Sequence, residues 1–136
     1  MSAKPWQLAR IGKQYAFSAA HRLPKVPEWH KCHNLHGHNY LVEIEIRSEI
    51  SLVDGFCGNI DFYQIDESMK PLIAQLDHKY LNDVPGLENP TAENIAAWIL
   101  KNFDLAILFS VKVWETSKCW AEVVNRDGYF QKEHRE

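Results

Sequence analysis

The chain has 136 residues, with 15 Lys and Arg against 18 Asp and Glu for a net charge of −3, and apolar residues make up 46% of it. That length and composition suit one domain, residues 1–136, with a core of its own and no room for a second. The charges are mixed along the chain, so no basic stripe calls for nucleic acid, and no apolar run approaches the length of a membrane span.

The opening residues Met-Ser-Ala-Lys-Pro-Trp lack the hydrophobic stretch of a secretory signal, so a cytoplasmic location is expected. Three cysteines, Cys32, Cys57 and Cys119, are odd in number and widely spaced, which fits reduced thiols better than a disulfide framework.

The first strand is expected from about Leu8 to Ala20. In it Tyr15, Phe17, Ala19 and His21 share one face, because side chains alternate along a strand. Residues Arg22 to Leu35, with Pro24 and Pro27, read as a long loop that delivers Cys32 just ahead of the next strand. That strand starts at His36 and runs to Arg47 or beyond. His36, His38, Tyr40, Val42, Ile44 and Ile46 face the core, while Glu43 and Glu45 point outward.

Three imidazoles, those of His21, His36 and His38, thus converge on the apolar face. A buried imidazole without a partner costs free energy, and a divalent metal bound by neutral ring nitrogens is the simplest shared partner. Zinc is favoured, because three protein ligands and one open position is how catalytic zinc is held. Cys32, four residues before His36, either completes a closed structural site or stays a free thiol that moves protons near the cation. His30 and His33, in the same loop, read as solvated.

Turn signals at Asp54-Gly55 and Gly58-Asn59 precede a helix from about Phe62 to Leu76, with Ile65, Met69, Leu72, Ile73 and Leu76 at core-facing spacing. Asp77-His78 at its end is either a carboxylate-oriented acid/base pair or a helix-terminal interaction. After an irregular connection through Tyr80 to Leu87, a second helix is expected to begin at Asn89-Pro90-Thr91 and run to about Phe103, with Ile95, Trp98 and Ile99 inward.

Two closing strands, about Ala106 to Thr116 and Cys119 to Val124, flank a turn at Ser117-Lys118. In the first of them Glu115 continues the face of Val111 and Val113. It either meets water there or accepts two parallel N–H bonds from a planar ligand edge such as that of a pterin or guanine. The tail from Arg126 to Glu136 is polar and expected to fray, apart from docking by Tyr129 and Phe130. The order ββααββ implies an α+β domain, a four-stranded antiparallel sheet with two helices on one face.

Five segments, Phe17-Ser-Ala-Ala-His-Arg-Leu23, Cys32-His-Asn-Leu-His-Gly-His-Asn-Tyr40, Leu76-Asp-His-Lys-Tyr-Leu-Asn82, Glu88-Asn-Pro-Thr-Ala-Glu93 and Val113-Trp-Glu-Thr116, resemble in order the 6-pyruvoyltetrahydropterin synthase family. The short Cys-to-His spacing is most similar to its bacterial, carboxy-forming branch, which serves queuosine biosynthesis. Phe56-Cys-Gly-Asn-Ile-Asp-Phe62 departs from the family's more apolar approach to its Asp-Phe pair, leaving the strand end there open.

The resemblance implies the T-fold (tunnelling fold) and a homo-oligomer, a trimer or dimer of trimers, with active sites at subunit interfaces. It assigns Zn2+ to His21, His36 and His38, proton transfer to Cys32 as a free thiol, a relay to Asp77 and His78, and pterin anchoring, with a catalytic part, to Glu115. The implied substrate is 7,8-dihydroneopterin triphosphate, converted to 6-carboxy-5,6,7,8-tetrahydropterin with release of acetaldehyde and triphosphate. Arg22 and Lys31 are candidates to hold the triphosphate from their place in the loop. The alternatives are a pyruvoyl-forming synthase on the same substrate and a zinc-stabilised binding module without catalysis.

Overall fold

A computed structural model describes residues 3–125; the expectations for the tail, Tyr129 and Phe130 included, lie outside the described residues. The elements are β1 (Ala3–His21), β2 (His36–Ser51), α1 (Phe62–Leu76), α2 (Ala92–Asn102), β3 (Leu108–Thr116) and β4 (Cys119–Val124). The four strands form one sheet in the order β1-β2-β3-β4, every neighbour antiparallel. This is the expected ββααββ α+β architecture.

Alternation places Phe17 and Ala19 of β1, Tyr40, Val42, Ile44 and Ile46 of β2, and Val111 and Val113 of β3 in the core. The helices cover that face with Ile65, Met69, Leu72 and Leu76 from α1 and Ile95, Trp98 and Ile99 from α2. Each such side chain contributes about 1.5–3 kcal/mol on leaving water, so this layer sets the register of the sheet. Helix α1 begins where Asp61 and Gln64 exchange side-chain-to-backbone hydrogen bonds, at 2.8 and 3.1 Å, which fixes its entry.

Several boundaries differ from expectation for local reasons. Strand β1 starts at Ala3 rather than Leu8, its pairing with β2 resuming at Ser51 after a register shift between Ala3 and Leu8. It also takes in His21. Pro90 stands before the N-cap of α2 rather than in its first turn: Thr91 is the cap, accepting from the Asn94 amide at 3.0 Å. Strand β3 starts at Leu108 rather than Ala106.

Glu45 lies on the outer face as the pleat requires, yet it is not solvated. Its side chain is 10% exposed. Arg10 donates through Nε and Nη2 to its two oxygens at 3.0 and 3.1 Å, and Arg47 donates as well. Burial alone would raise this carboxyl's pKa, but the two guanidinium groups outweigh it and hold the value below normal.

The Phe56–Asn59 departure forms a tight return onto the end of β2. Cys57 bridges Ile50 and buries its thiol, and the Gly58 amide donates to the Glu49 carbonyl at 2.9 Å. Gly58 has φ of 59° and a Cβ there would meet Ile107 Cδ1 at 2.6 Å, so the turn depends on glycine for both conformation and space.

Candidate metal centre

The β1–β2 register pairs His21 with His36 and Ala19 with His38 at the open end of the sheet. Residues 36 and 38 share a face with 21, so all three rings meet edge to face, their centroids 4.6–5.0 Å apart. One nitrogen from each lies within 4.8 Å of the others. His21 is fully buried, and His36 and His38 are partly so.

Two backbone carbonyls decide which nitrogens face inward. His21 Nδ1 is 2.8 Å from the Pro90 carbonyl oxygen, and His36 Nδ1 is 2.7 Å from that of Asn34. A carbonyl only accepts, so each Nδ1 carries the proton and each Nε2 keeps a lone pair. Those two Nε2 atoms stand 3.0 Å apart. With no proton between them the lone pairs repel, and a shared cation relieves the repulsion. The third member shows the same need: His38 Nε2 is buried without any hydrogen-bond partner. Tetrahedral zinc with bonds of about 2.0–2.1 Å would separate its nitrogens by about 3.3 Å, so the donor set fits the ion.

Burial pushes the His21 imidazole down to about pKa 4 despite its bond to Pro90, with His36 and His38 adding to the effect. Burial also lowers His38, against the pull of the Glu115 carboxylate. Both rings are therefore held in the neutral form that a metal requires. Tyr40, buried below them and stacked on Phe17 with centroids 4.8 Å apart, has its hydroxyl 3.1 Å from His21 Nδ1.

Glu115 follows Val111 and Val113 along β3 and is partly buried, as its face predicts. Its carboxylate acts electrostatically on both His38 and Tyr40. It lines a cavity of about 250 Å³ with Leu23, Thr91, Glu93 and Trp120.

Cys32 is a partly buried free thiol in a 3-10 turn, Lys31–His33, and is not a member of the metal-ligating cluster found among the described residues. His30 and His33 are not merely solvated, as the sequence suggested. His30 Nδ1 caps the turn by accepting from the Cys32 amide at 3.0 Å. His33 receives the Arg22 guanidinium at its carbonyl oxygen and at Nε2, 3.1 and 3.0 Å away.

Asp77 and His78 touch one another, Asp77 Oδ1 lying 3.0 Å from His78 Nδ1. The same carboxylate accepts from the Ser18 amide at 3.0 Å, and the His78 amide donates to the Ser18 carbonyl. The Ser18 amide bond is the main cause of an Asp77 pKa below the usual carboxylate value. His78 is 82% exposed and lines a cleft of about 600 Å³ bordered by the pairs Ser18–Asn39 and Ala20–Gly37 and also by His38. The structure gives no bond between this pair and the imidazoles.

Sequence reasoning missed the carbonyls of Pro90 and Asn34 and the Arg22–His33 contact, and it placed Tyr40 only as a core-facing residue. The Pro90 carbonyl meets His21 across 69 residues, and no local pattern marks such a pairing.

Residues 10–126 match the family model described as 6-pyruvoyl tetrahydropterin synthase. The chain is 40% identical to the 6-carboxy-5,6,7,8-tetrahydropterin synthase of Synechocystis sp., over 78% of this chain and 85% of that one. It is 32% identical to the dihydroneopterin monophosphate aldolase of Pyrococcus furiosus, over 85% and 96%. Its fold is similar to that of Caenorhabditis elegans 6-pyruvoyl tetrahydropterin synthase, with a TM-score of 0.79, 24% identity, and coverage of 92% and 99%.

Proposed function

The chain belongs to the 6-pyruvoyl tetrahydropterin synthase family of pterin-metabolising enzymes, and from that premise we propose that it is a zinc-dependent lyase acting on 7,8-dihydroneopterin triphosphate. The products are 6-carboxy-5,6,7,8-tetrahydropterin, acetaldehyde and triphosphate, and the step serves queuosine formation. The observation that carries this reading is the converging Nε2 set of His21, His36 and His38, with one member orphaned. The 40% identity to a named carboxy-forming synthase supports the choice of product.

His21, His36 and His38 hold Zn2+, which when bound supplies Lewis acidity toward the hydroxyls of the substrate side chain. The Pro90 and Asn34 carbonyls keep the His21 and His36 rings in the tautomer that serves this purpose. Glu115 accepts the paired N–H groups of the pterin edge and so orients the ring in the cavity that it lines with Trp120. Cys32, on the turn between β1 and β2, removes or returns a side-chain proton, and the Asp77–His78 pair serves the opposite face. Absence of Cys32 from the metal cluster favours this catalytic reading over a closed, purely structural site.

The protein is a homo-oligomer, a trimer or dimer of trimers, with active sites at subunit interfaces, a reading that its family membership supports. No helix among the described residues is long and apolar enough to cross a membrane. A cytoplasmic location remains part of this proposal.

Incubating the zinc-loaded protein with 7,8-dihydroneopterin triphosphate and analysing the products by mass spectrometry tests the reading. Carboxytetrahydropterin with acetaldehyde is the expected result. A pyruvoyl product without acetaldehyde would assign the other branch, and unconsumed substrate would refute both.

A further inference from the structure

We propose that Arg22 is a positioning residue: with His33 as its acceptor it pins the turn that carries Cys32 against the end of β1, and so sets where the thiol stands relative to the imidazole cluster. The inference rests on the functional reading above, which takes Cys32 as the proton-transfer group.

The loop between His21 and His36 must place one thiol accurately, yet its 3-10 turn Lys31–His33 contains no buried residue. Apolar packing therefore does not hold it, and its hydrogen bonds must. Arg22 begins the loop directly after a metal-ligating histidine. Its backbone is gripped from both sides by one side chain: the Arg22 amide donates to Asn82 Oδ1 at 3.0 Å, and Asn82 Nδ2 donates to the Arg22 carbonyl at 2.8 Å. The base of the arginine is thus fixed before its guanidinium reaches out.

From that base, Nε donates to the His33 carbonyl at 3.1 Å and Nη2 to His33 Nε2 at 3.0 Å. The fork takes two acceptors on the residue next to Cys32, a geometry that a lysine point charge cannot reproduce. Beside it the Leu23 amide donates to the Cys32 carbonyl at 2.8 Å, and on the other flank the Cys32 amide donates to His30 Nδ1. The same turn leads into Asn34, whose carbonyl takes the Nδ1–H of His36. Arg22 therefore acts on the thiol and, one residue further, on the orientation of a ligand ring.

This assignment competes with a role for Arg22 in holding the triphosphate, and the two separate experimentally. Two of the five guanidinium N–H groups already donate within the protein, which leaves the two of Nη1 and one of Nη2 for an anion. The zinc-loaded variants Arg22→Gln, Arg22→Lys and His33→Ala are compared with wild type. Two readouts are taken: the rate of Cys32 alkylation by iodoacetamide, followed by peptide mass spectrometry, and kcat and KM for 7,8-dihydroneopterin triphosphate.

Loss of a charge-assisted fork corresponds to roughly a tenfold change, so Cys32 alkylation is expected to quicken and kcat to fall by about that factor, with KM little altered. Arg22→Lys is expected not to rescue, and His33→Ala to reproduce the effect from the other end. Should Arg22→Gln fail to fold, His33→Ala carries the comparison, because it removes only the ring acceptor. A large rise in KM with unchanged alkylation would make Arg22 a phosphate anchor and overturn the proposal, as would unchanged alkylation and kinetics together. Alkylation needs no turnover, so a wild-type protein inactive on this substrate would refute the functional reading and still leave the positioning role tested.

Discussion

His21 and His36 face each other Nε2 to Nε2 at 3.0 Å, while each gives its Nδ1–H to a backbone carbonyl, Pro90 for one and Asn34 for the other. Two neutral rings in this arrangement aim lone pairs at a common point. The third ring, His38, contributes a buried Nε2 with no partner. A metal ion bound by the three rings would relieve the polar cost that the metal-free protein bears.

A crossing pattern of stabilities is expected as a result. Substituting His38→Leu removes the orphaned nitrogen, so the metal-free variant should be as stable as wild type or more so, by about 1 kcal/mol. The same change should abolish stoichiometric zinc, which wild type should bind at one ion per chain. Urea denaturation with and without zinc, together with elemental analysis, measures both. Destabilisation of the metal-free variant with retained zinc would exclude His38 as a ligand.

Acid should act through His21. Its pKa falls to about 4 in the fold, chiefly through burial, against an ordinary value of 6.5. Between those values the unfolded chain binds a proton that the folded chain does not, so stability rises with pH across the window. The contribution is complete above pH 6.5 and is lost as pH drops toward 4, amounting to no more than about 3 kcal/mol. Metal-free wild type should therefore lose stability from pH 7 to pH 5, and His21→Gln should lose less. Equal slopes in denaturant titrations would count against a buried neutral His21.

Much of this site was legible because strand alternation has a short, rigid period. Once β1 and β2 pair as a hairpin with His21 opposite His36, the placement of His38, Tyr40 and Phe17 follows from counting by two. Helix α1 was legible for a similar reason, since the turn signals ending at Gly58-Asn59 bound its start and Ile65, Met69, Leu72 and Leu76 mark its face. What escaped depends on contacts distant in sequence or on groups with no side-chain identity. The carbonyl of Pro90 belongs to any residue, so nothing in the letters marks it as the partner of His21. Glu45 alternates outward as a solvated residue would, yet Arg10, 35 positions away, and Arg47 on its own strand both close on it. His30 and His33 read as loop polar groups because their partners, the Cys32 amide and the Arg22 guanidinium, depend on how the loop closes.

Cys32 lies outside the metal-ligating cluster, so replacing it should leave the metal in place. Cys32→Ala is expected to keep one zinc per chain and a melting temperature close to wild type. It should lose roughly 10²–10⁴-fold in kcat, the usual range for removing a general acid or base. Zinc analysis beside steady-state kinetics distinguishes this from a fourth-ligand role, which would couple loss of activity to loss of metal.

Glu115 supplies the sharpest test of pterin recognition. It continues the buried face of Val111 and Val113, borders a cavity together with Trp120, and acts electrostatically on His38 and Tyr40. A carboxylate there accepts two N–H groups, whereas a glutamine presents one acceptor and one N–H, and the N–H would oppose a donor on the ligand. Hydrogen bonds to a charged group contribute about 1.5–3 kcal/mol, so Glu115→Gln should lower kcat/KM by roughly 10- to 100-fold. Zinc stoichiometry should stay at the wild-type value, because the imidazole set is untouched. Isothermal titration with a non-reacting pterin should show the same weakening. A variant that binds the pterin as wild type does would remove Glu115 from recognition and leave it as a neighbour of the metal site alone.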